Sequence, residues 1–117
     1  MSKILNEIVE DVVVETVNIT MATKNEADEL KSVLLNDIKS GKKKIVVDLS
    51  NCESMDSTFL GSLVIAYKES EKEGGTLKIA GAHSDTEVIL EITGTSRIFE
   101  QYRNKSEAIK SFKMGAL

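Results

Sequence analysis

The chain has 117 residues, of which 41% are hydrophobic and 29% charged, a composition that fits one globular domain and excludes a largely disordered chain. Fifteen Lys and Arg against nineteen Asp and Glu leave a formal charge of −4, and aromatic residues make up only 4%. Such a chain repels phosphate backbones and has few rings for bases to stack on, so nucleic acid is not its expected partner. One cysteine, Cys52, excludes an internal disulfide, and one histidine, His83, leaves few ligands for a transition metal. No apolar run reaches the roughly 18 residues of a spanning helix. The start Met1-Ser2-Lys3-Ile4-Leu5-Asn6-Glu7 lacks the apolar core of a signal peptide. The expectation is a cytoplasmic protein with no membrane partner, no metal and no cofactor, built as one domain over residues 1–117.

In chain order, residues 4–19 read as two strands. Ile4, Leu5, Ile8 and Val9 lead to the polar pair Glu10-Asp11, a hairpin turn, and the β-branched run Val12-Val13-Val14 follows. Residues 24–40 read as a helix, with Ala27, Leu30, Leu34 and Ile38 on one stripe, Thr23 or Asn25 as the cap and Gly41 as the stop. Ile45-Val46-Val47-Asp48-Leu49 is a nearly continuous apolar run, as a strand covered on both faces requires. Residues 50–56 form a polar connection broken by Met55. A second helix runs over 57–73 with Phe59, Leu60, Leu63, Val64 and Tyr67 as its apolar stripe, and Gly74-Gly75 ends it. Residues 76–81 are the next strand. Ser84-Asp85-Thr86-Glu87 has the spacing of a capping box, with Gly94 closing the helix that it opens. Ile98-Phe99 reads as a brief edge strand, residues 106–112 as a last helix, and Met114 to Leu117 as a frayed tail. The order β-β-α-β-α-β-α-β-α predicts an α/β fold. Its strand-helix-strand units imply parallel pairing, hence a mixed sheet of four or five strands with a face covered by about four helices.

The stretch Met55-Asp56-Ser57-Thr58-Phe59-Leu60-Gly61 stands where a buried strand has ended and a helix begins, the edge at which ligands and partners gather in α/β sheets. A hydroxyl at that helix start lies among backbone N–H groups without intrahelical partners, at the positive end of the macrodipole. A phosphate placed there gains hydrogen bonds and favourable charge, so Ser57 is suited to carry one without unfolding the chain. Ser, Asp and Thr at such a place also serve simply as caps, and residues 56–58 alone do not separate the two roles.

The wider pattern resembles the STAS domain, and more narrowly the bacterial anti-sigma factor antagonists. The resemblance rests on the strand 45–49, the Met-Asp-Ser-Thr step, Leu60-Gly61, the Gly74-Gly75 turn and the closing Ile98-Phe99. The family pattern at the helix start is Asp-Ser-(Ser/Thr)-Gly-Leu-Gly, and its first Ser is the phosphoacceptor. Carried onto this chain, that residue is Ser57, preceded by Asp56, with Thr58 a lesser alternative. The resemblance implies a protein that is not an enzyme. Unphosphorylated, it binds an anti-sigma factor that is also a serine kinase and so releases a sigma factor. Phosphorylation at Ser57 ends the binding, and a metal-dependent serine/threonine phosphatase reverses it. Asp56, Ser57, Thr58, Phe59 and Gly61 are then expected to form the docking surface.

Two departures bear on this expectation. Phe59 stands where the family has Gly, and it either fills a partner's pocket or turns into the core. Thr20 and Thr23 stand where the family often has Gly and Asp in the loop after the second strand. The competing expectation is a STAS module of a transport system or signalling scaffold, acting by protein contact without phosphorylation. Elsewhere, His83 reads as a loop residue, Cys52 as a loop or partly buried thiol, Asp48 as structural, and Gly74-Gly75 follows a helix where a phosphate loop would precede one. A hydrolase built on Ser57 and His83 would need a long-range coincidence.

Overall fold

The computed structural model describes residues 3–114. The expected tail is helical at Met114, and its remainder lies outside the described residues, as do Met1 and Ser2.

The β-branched run pairs as its residues demand. β1 (Ile4–Val9) and β2 (Val12–Val17) form an antiparallel hairpin with Ile4 opposite Val17 and Val9 opposite Val12. Its turn is Glu10-Asp11, with Glu10 in the left-handed region at φ 59°, a conformation uncommon outside glycine. A two-residue strand β3 (Met21–Ala22) precedes α1 (Lys24–Lys39) and β4 (Lys44–Asp48). Next come β5 (Ser54–Met55), α2 (Ser57–Lys72) and β6 (Thr76–Ala80). α3 (Ser84–Thr93), a 3₁₀ turn at Thr95–Arg97, β7 (Gln101–Tyr102) and α4 (Lys105–Met114) complete the order.

Among the described residues the main sheet runs β1-β2-β4-β6-β7, with only the β1–β2 pair antiparallel. The apolar run at 45–49 explains how both faces are covered. Ile45, Val47 and Leu49 join Leu30, Leu34, Phe59 and Leu63 in the larger core, beneath the helices of one face. Val46 joins Val12, Val14 and Ala80 on the other face, beneath Ala108, Ile109 and Phe112 of α4. Period-two alternation in a buried strand therefore feeds two separate cores. Lys78, the polar residue of β6, points to the α4 side. It is 6% exposed, with Nζ 2.7 Å from Ser111 Oγ, 3.5 Å from Glu100 and 4.1 Å from the centre of the Phe112 ring. A buried ammonium needs such company, and it pins α4 to the sheet.

Two sequence expectations are corrected. The edge strand is Gln101–Tyr102, not Ile98-Phe99; Phe99 is buried and meets Tyr67 edge-to-face at 5.2 Å, so burial claims it before pairing does. The box at Ser84 does not form, because the helix starts one residue early. His83 is the N-cap, its carbonyl accepts from the Glu87 N–H at 2.9 Å, and no side chain caps the end. Cys52 lies in the loop before β5, as expected, and is fully buried there, with Sγ 3.3 Å from the Ser54 carbonyl, and burial pushes its pKa up. The cap at Thr23 and the left-handed Gly94 appear where expected.

Candidate functional site

β3 and β5 pair in parallel as a small separate ribbon, Met21 opposite Ser54 and Ala22 opposite Met55. The Thr20 carbonyl accepts from the Glu53 and Ser54 N–H groups at 2.9 and 3.2 Å, and the Ala22 carbonyl accepts from the Asp56 N–H at 2.9 Å. The segment after β2 and the approach to α2 are thus one unit. Two-residue strands have no periodicity, so nothing in the sequence marked them.

Asp56 closes the ribbon and caps α2. Its Oδ1 accepts from the Phe59 N–H at 2.9 Å, and its Oδ2 accepts from the Lys24 N–H at 2.9 Å. Lys24 is the first residue of α1, so one carboxylate serves two helix starts, each with unpaired N–H groups and positive partial charge. Thr23 is also committed to α1. Its Oγ1 accepts from the Asn25 N–H at 3.2 Å, while the Glu26 carboxylate accepts from the Thr23 N–H at 2.9 Å.

With Asp56 turned inward, the first turn of α2 divides sharply. Ser57 and Thr58 are exposed, whereas Phe59 and Leu60 are 0% and 3% exposed within the larger core. Phe59 is therefore removed from the expected docking surface: its ring is a core side chain and cannot reach a partner. Thr58 and Phe59 are one helical step apart, and about 100° of rotation turns one to solvent and the next to the sheet. Gly61 is half-buried, and a Cβ there would meet open space, so it leaves a flat spot beside Ser57. Met21, which sequence reasoning missed, is 68% exposed beside Ser54. Its one signal was an apolar residue in a polar loop.

The other candidates are structural. His83 Nε2 lies 2.7 Å from the Ser50 carbonyl and ties the start of α3 to the loop after β4. Asp48 is 5% exposed and accepts from the Ser50 N–H at 3.1 Å. Among the described residues, no group of three His, Cys, Asp or Glu side chains could hold a metal ion, and no helix is long and apolar enough to cross a membrane. What remains is the exposed hydroxyl of Ser57 at the positive end of α2, directly after the β3–β5 ribbon.

Comparison with known proteins gives a consistent picture. The family model described as the STAS domain matches residues 3–108. A candidate anti-sigma factor antagonist of Thermotoga neapolitana is 34% identical over 104 residues, covering 89% of this chain and 92% of that protein. The crystal structure of a candidate anti-sigma factor antagonist from Thermotoga maritima superposes with a TM-score of 0.86 at 29% identity, over 92% of each chain. The Bacillus cell fate determinant SpoIIAA in its phosphorylated form has the same fold. Its TM-score is 0.74 at 15% identity, over 93% of this chain and 98% of that one.

Proposed function

The chain belongs to the STAS domain family, and we propose that it acts within it as a single-domain anti-sigma factor antagonist switched by phosphorylation of Ser57. Unphosphorylated, it binds an anti-sigma factor that is also a serine kinase, and thereby releases a sigma factor. The kinase transfers the γ-phosphoryl group of ATP to Ser57 Oγ, with loss of the hydroxyl proton and release of ADP. A serine/threonine phosphatase hydrolyses the ester and restores binding. The protein is ligand and substrate in this cycle rather than catalyst, and it works in the cytoplasm.

The observation that carries this reading is the contrast within one turn. Ser57 is exposed while its neighbours Asp56 and Phe59 anchor the helix start. A phosphate adds about −1.5 to −2 charge without disturbing the core. The fold survives, and the surface of Ser57, Thr58 and Gly61 changes sign. A partner seated there faces an unpaired charge at a desolvated contact, which costs about 2–5 kcal/mol. Asp56 serves the site by positioning the helix start, and Thr58 and Gly61 supply its shape.

The test is incubation with the anti-sigma factor kinase from the same genome and ATP, followed by intact mass. One phosphate is expected on the parent chain and none on Ser57→Ala. Ser57→Asp should bind that kinase at least tenfold more weakly than the parent. Unchanged affinity of Ser57→Asp, or a phosphate that persists on Ser57→Ala, would overturn the reading.

A further inference from the structure

β1 is the outer strand of the main sheet, and among the described residues it pairs only with β2. Outer strands invite pairing through their unused backbone groups, and proteins usually blunt them with proline, bulges or uncompensated charge. This chain has no proline, and β1 pairs with β2 residue for residue without a bulge. It also leaves three large apolar side chains in water: Leu5, Ile8 and Val9 are 51%, 57% and 36% exposed. Its charge is compensated from within. Glu7 Oε1 lies 2.9 Å from Lys105 Nζ, and the Glu10 carboxylate at the turn lies 2.7 Å from Lys113 Nζ, both lysines reaching over from α4.

The register decides what such an edge fits. The Asn18 N–H donates to the Lys3 carbonyl, so by alternation Leu5, Glu7 and Val9 spend their backbone groups on β2. Asn6 and Ile8 direct theirs to the open edge. Leu5 and Val9 lie symmetrically about Glu7 on the α4 side of the sheet. From this we propose that β1 is a self-association edge, two copies of the chain pairing antiparallel about a two-fold axis through Glu7. Asn6 of each copy exchanges both backbone hydrogen bonds with Ile8 of the other, and the two sheets become continuous. Leu5 of each copy packs against Val9 of the other. Shifting the pairing by two residues in either sense sets Leu5 or Val9 against Glu7 and loses that match. The two Glu7 carboxylates then face one another, an arrangement that is unfavourable unless each is neutralised. Lys105 supplies that neutralisation in each copy, so the charges across the axis alternate. A strand from an unrelated protein would need the same pattern, whereas a second copy carries it already.

The experiment is sedimentation equilibrium of the full chain from about 5 to 500 μM, since an edge of one short strand suits a weak, reversible dimer. A monomer–dimer equilibrium is expected. Leu5→Lys/Val9→Lys, both at exposed positions, should raise its dissociation constant at least tenfold with an unchanged circular dichroism spectrum. Lys105→Gln should weaken it similarly, and Glu7→Gln/Lys105→Gln should restore it. Register is read separately. Facing Cα atoms at a non-hydrogen-bonded pair lie about 4.5 Å apart, within disulfide range, so Glu7→Cys should oxidise to a covalent dimer. Leu5→Cys, displaced along both strands by about 13 Å, should not. Cys52 is buried and does not interfere. A monomer at every concentration overturns the proposal. So does a dimer that the two lysines leave intact, or equal cross-linking of the Glu7→Cys and Leu5→Cys chains.

Discussion

Asp56 and Lys24 stand 32 positions apart, yet the Asp56 carboxylate accepts the Lys24 N–H at 2.9 Å while its other oxygen caps α2 at Phe59. The starts of α1 and α2 are therefore locked to each other through one side chain. Asp56→Ala leaves two N–H groups without that acceptor. A lost cap costs roughly 1 kcal/mol and a lost hydrogen bond about as much again, so a loss of about 2 kcal/mol is expected in urea unfolding. Asp56→Asn keeps one acceptor and turns an amide donor toward the other N–H, and should fall between. A loss below about 0.5 kcal/mol for Asp56→Ala would refute the double cap.

Phe59 is fully buried two positions after the exposed Ser57. Phe59→Ala should cost about 3–5 kcal/mol through lost contacts and the cavity left behind, and Phe59→Leu less than about 2 kcal/mol. Because the ring faces the core, Phe59→Leu should leave the rate of the proposed Ser57 phosphorylation within twofold of the parent. A larger change in that rate, measured by intact mass, would return Phe59 to the docking surface.

Glu15 of β2 is 1% exposed, and burial together with Asp37 of α1 pushes its pKa up to about 8. Glu15 Oε2 accepts from the Asn6 amide at 2.8 Å, while Glu15 Oε1 and Asp37 Oδ2 are buried with no donor from elsewhere. One shared proton satisfies both oxygens. The folded chain keeps that proton to about pH 8, whereas the unfolded chain releases it near 4.5. Between these values the unfolded state binds fewer protons, so this pair's contribution is fully present below about pH 4.5 and fades as pH rises through 8. Glu15→Gln offers Asp37 a permanent amide donor. It should match the parent near pH 5 and exceed it at pH 8 by more than about 1 kcal/mol, as read from urea midpoints across the range. A difference independent of pH would sink the shared-proton account.

Gly81 follows β6 at φ +73°, and a Cβ there would lie 2.9 Å from Ser50 Cβ and 3.0 Å from Ser50 Cα and N. Gly81→Ala meets both a disfavoured backbone and another strand's loop, so it should destabilise by at least about 1–2 kcal/mol. Gly94, at φ +78° with no atom within 4 Å of a Cβ, meets only the backbone term and should lose less. Equal thermal midpoints for the two alanine variants would show that the contact with Ser50 carries no cost.

The order of the helices and the main-sheet strands, a cap at Thr23 or Asn25, the buried run at 45–49 and a hydroxyl at the start of α2 were legible before the fold was known. Each depends on neighbours within a few positions, through side-chain periodicity, N–H groups at helix starts and the special freedom of glycine. The β3–β5 ribbon, the inward turn of Phe59, the second bond of Asp56, the edge strand at Gln101–Tyr102 and the Glu15–Asp37 pair were not. They join segments separated by many residues, and a local pattern carries no record of which distant group arrives. Local pattern alone marked a hydroxyl at a helix start and the stripes that must be buried. Only the packed chain decided which first-turn side chains of α2 face outward, because that choice follows from where the sheet lies relative to the helix.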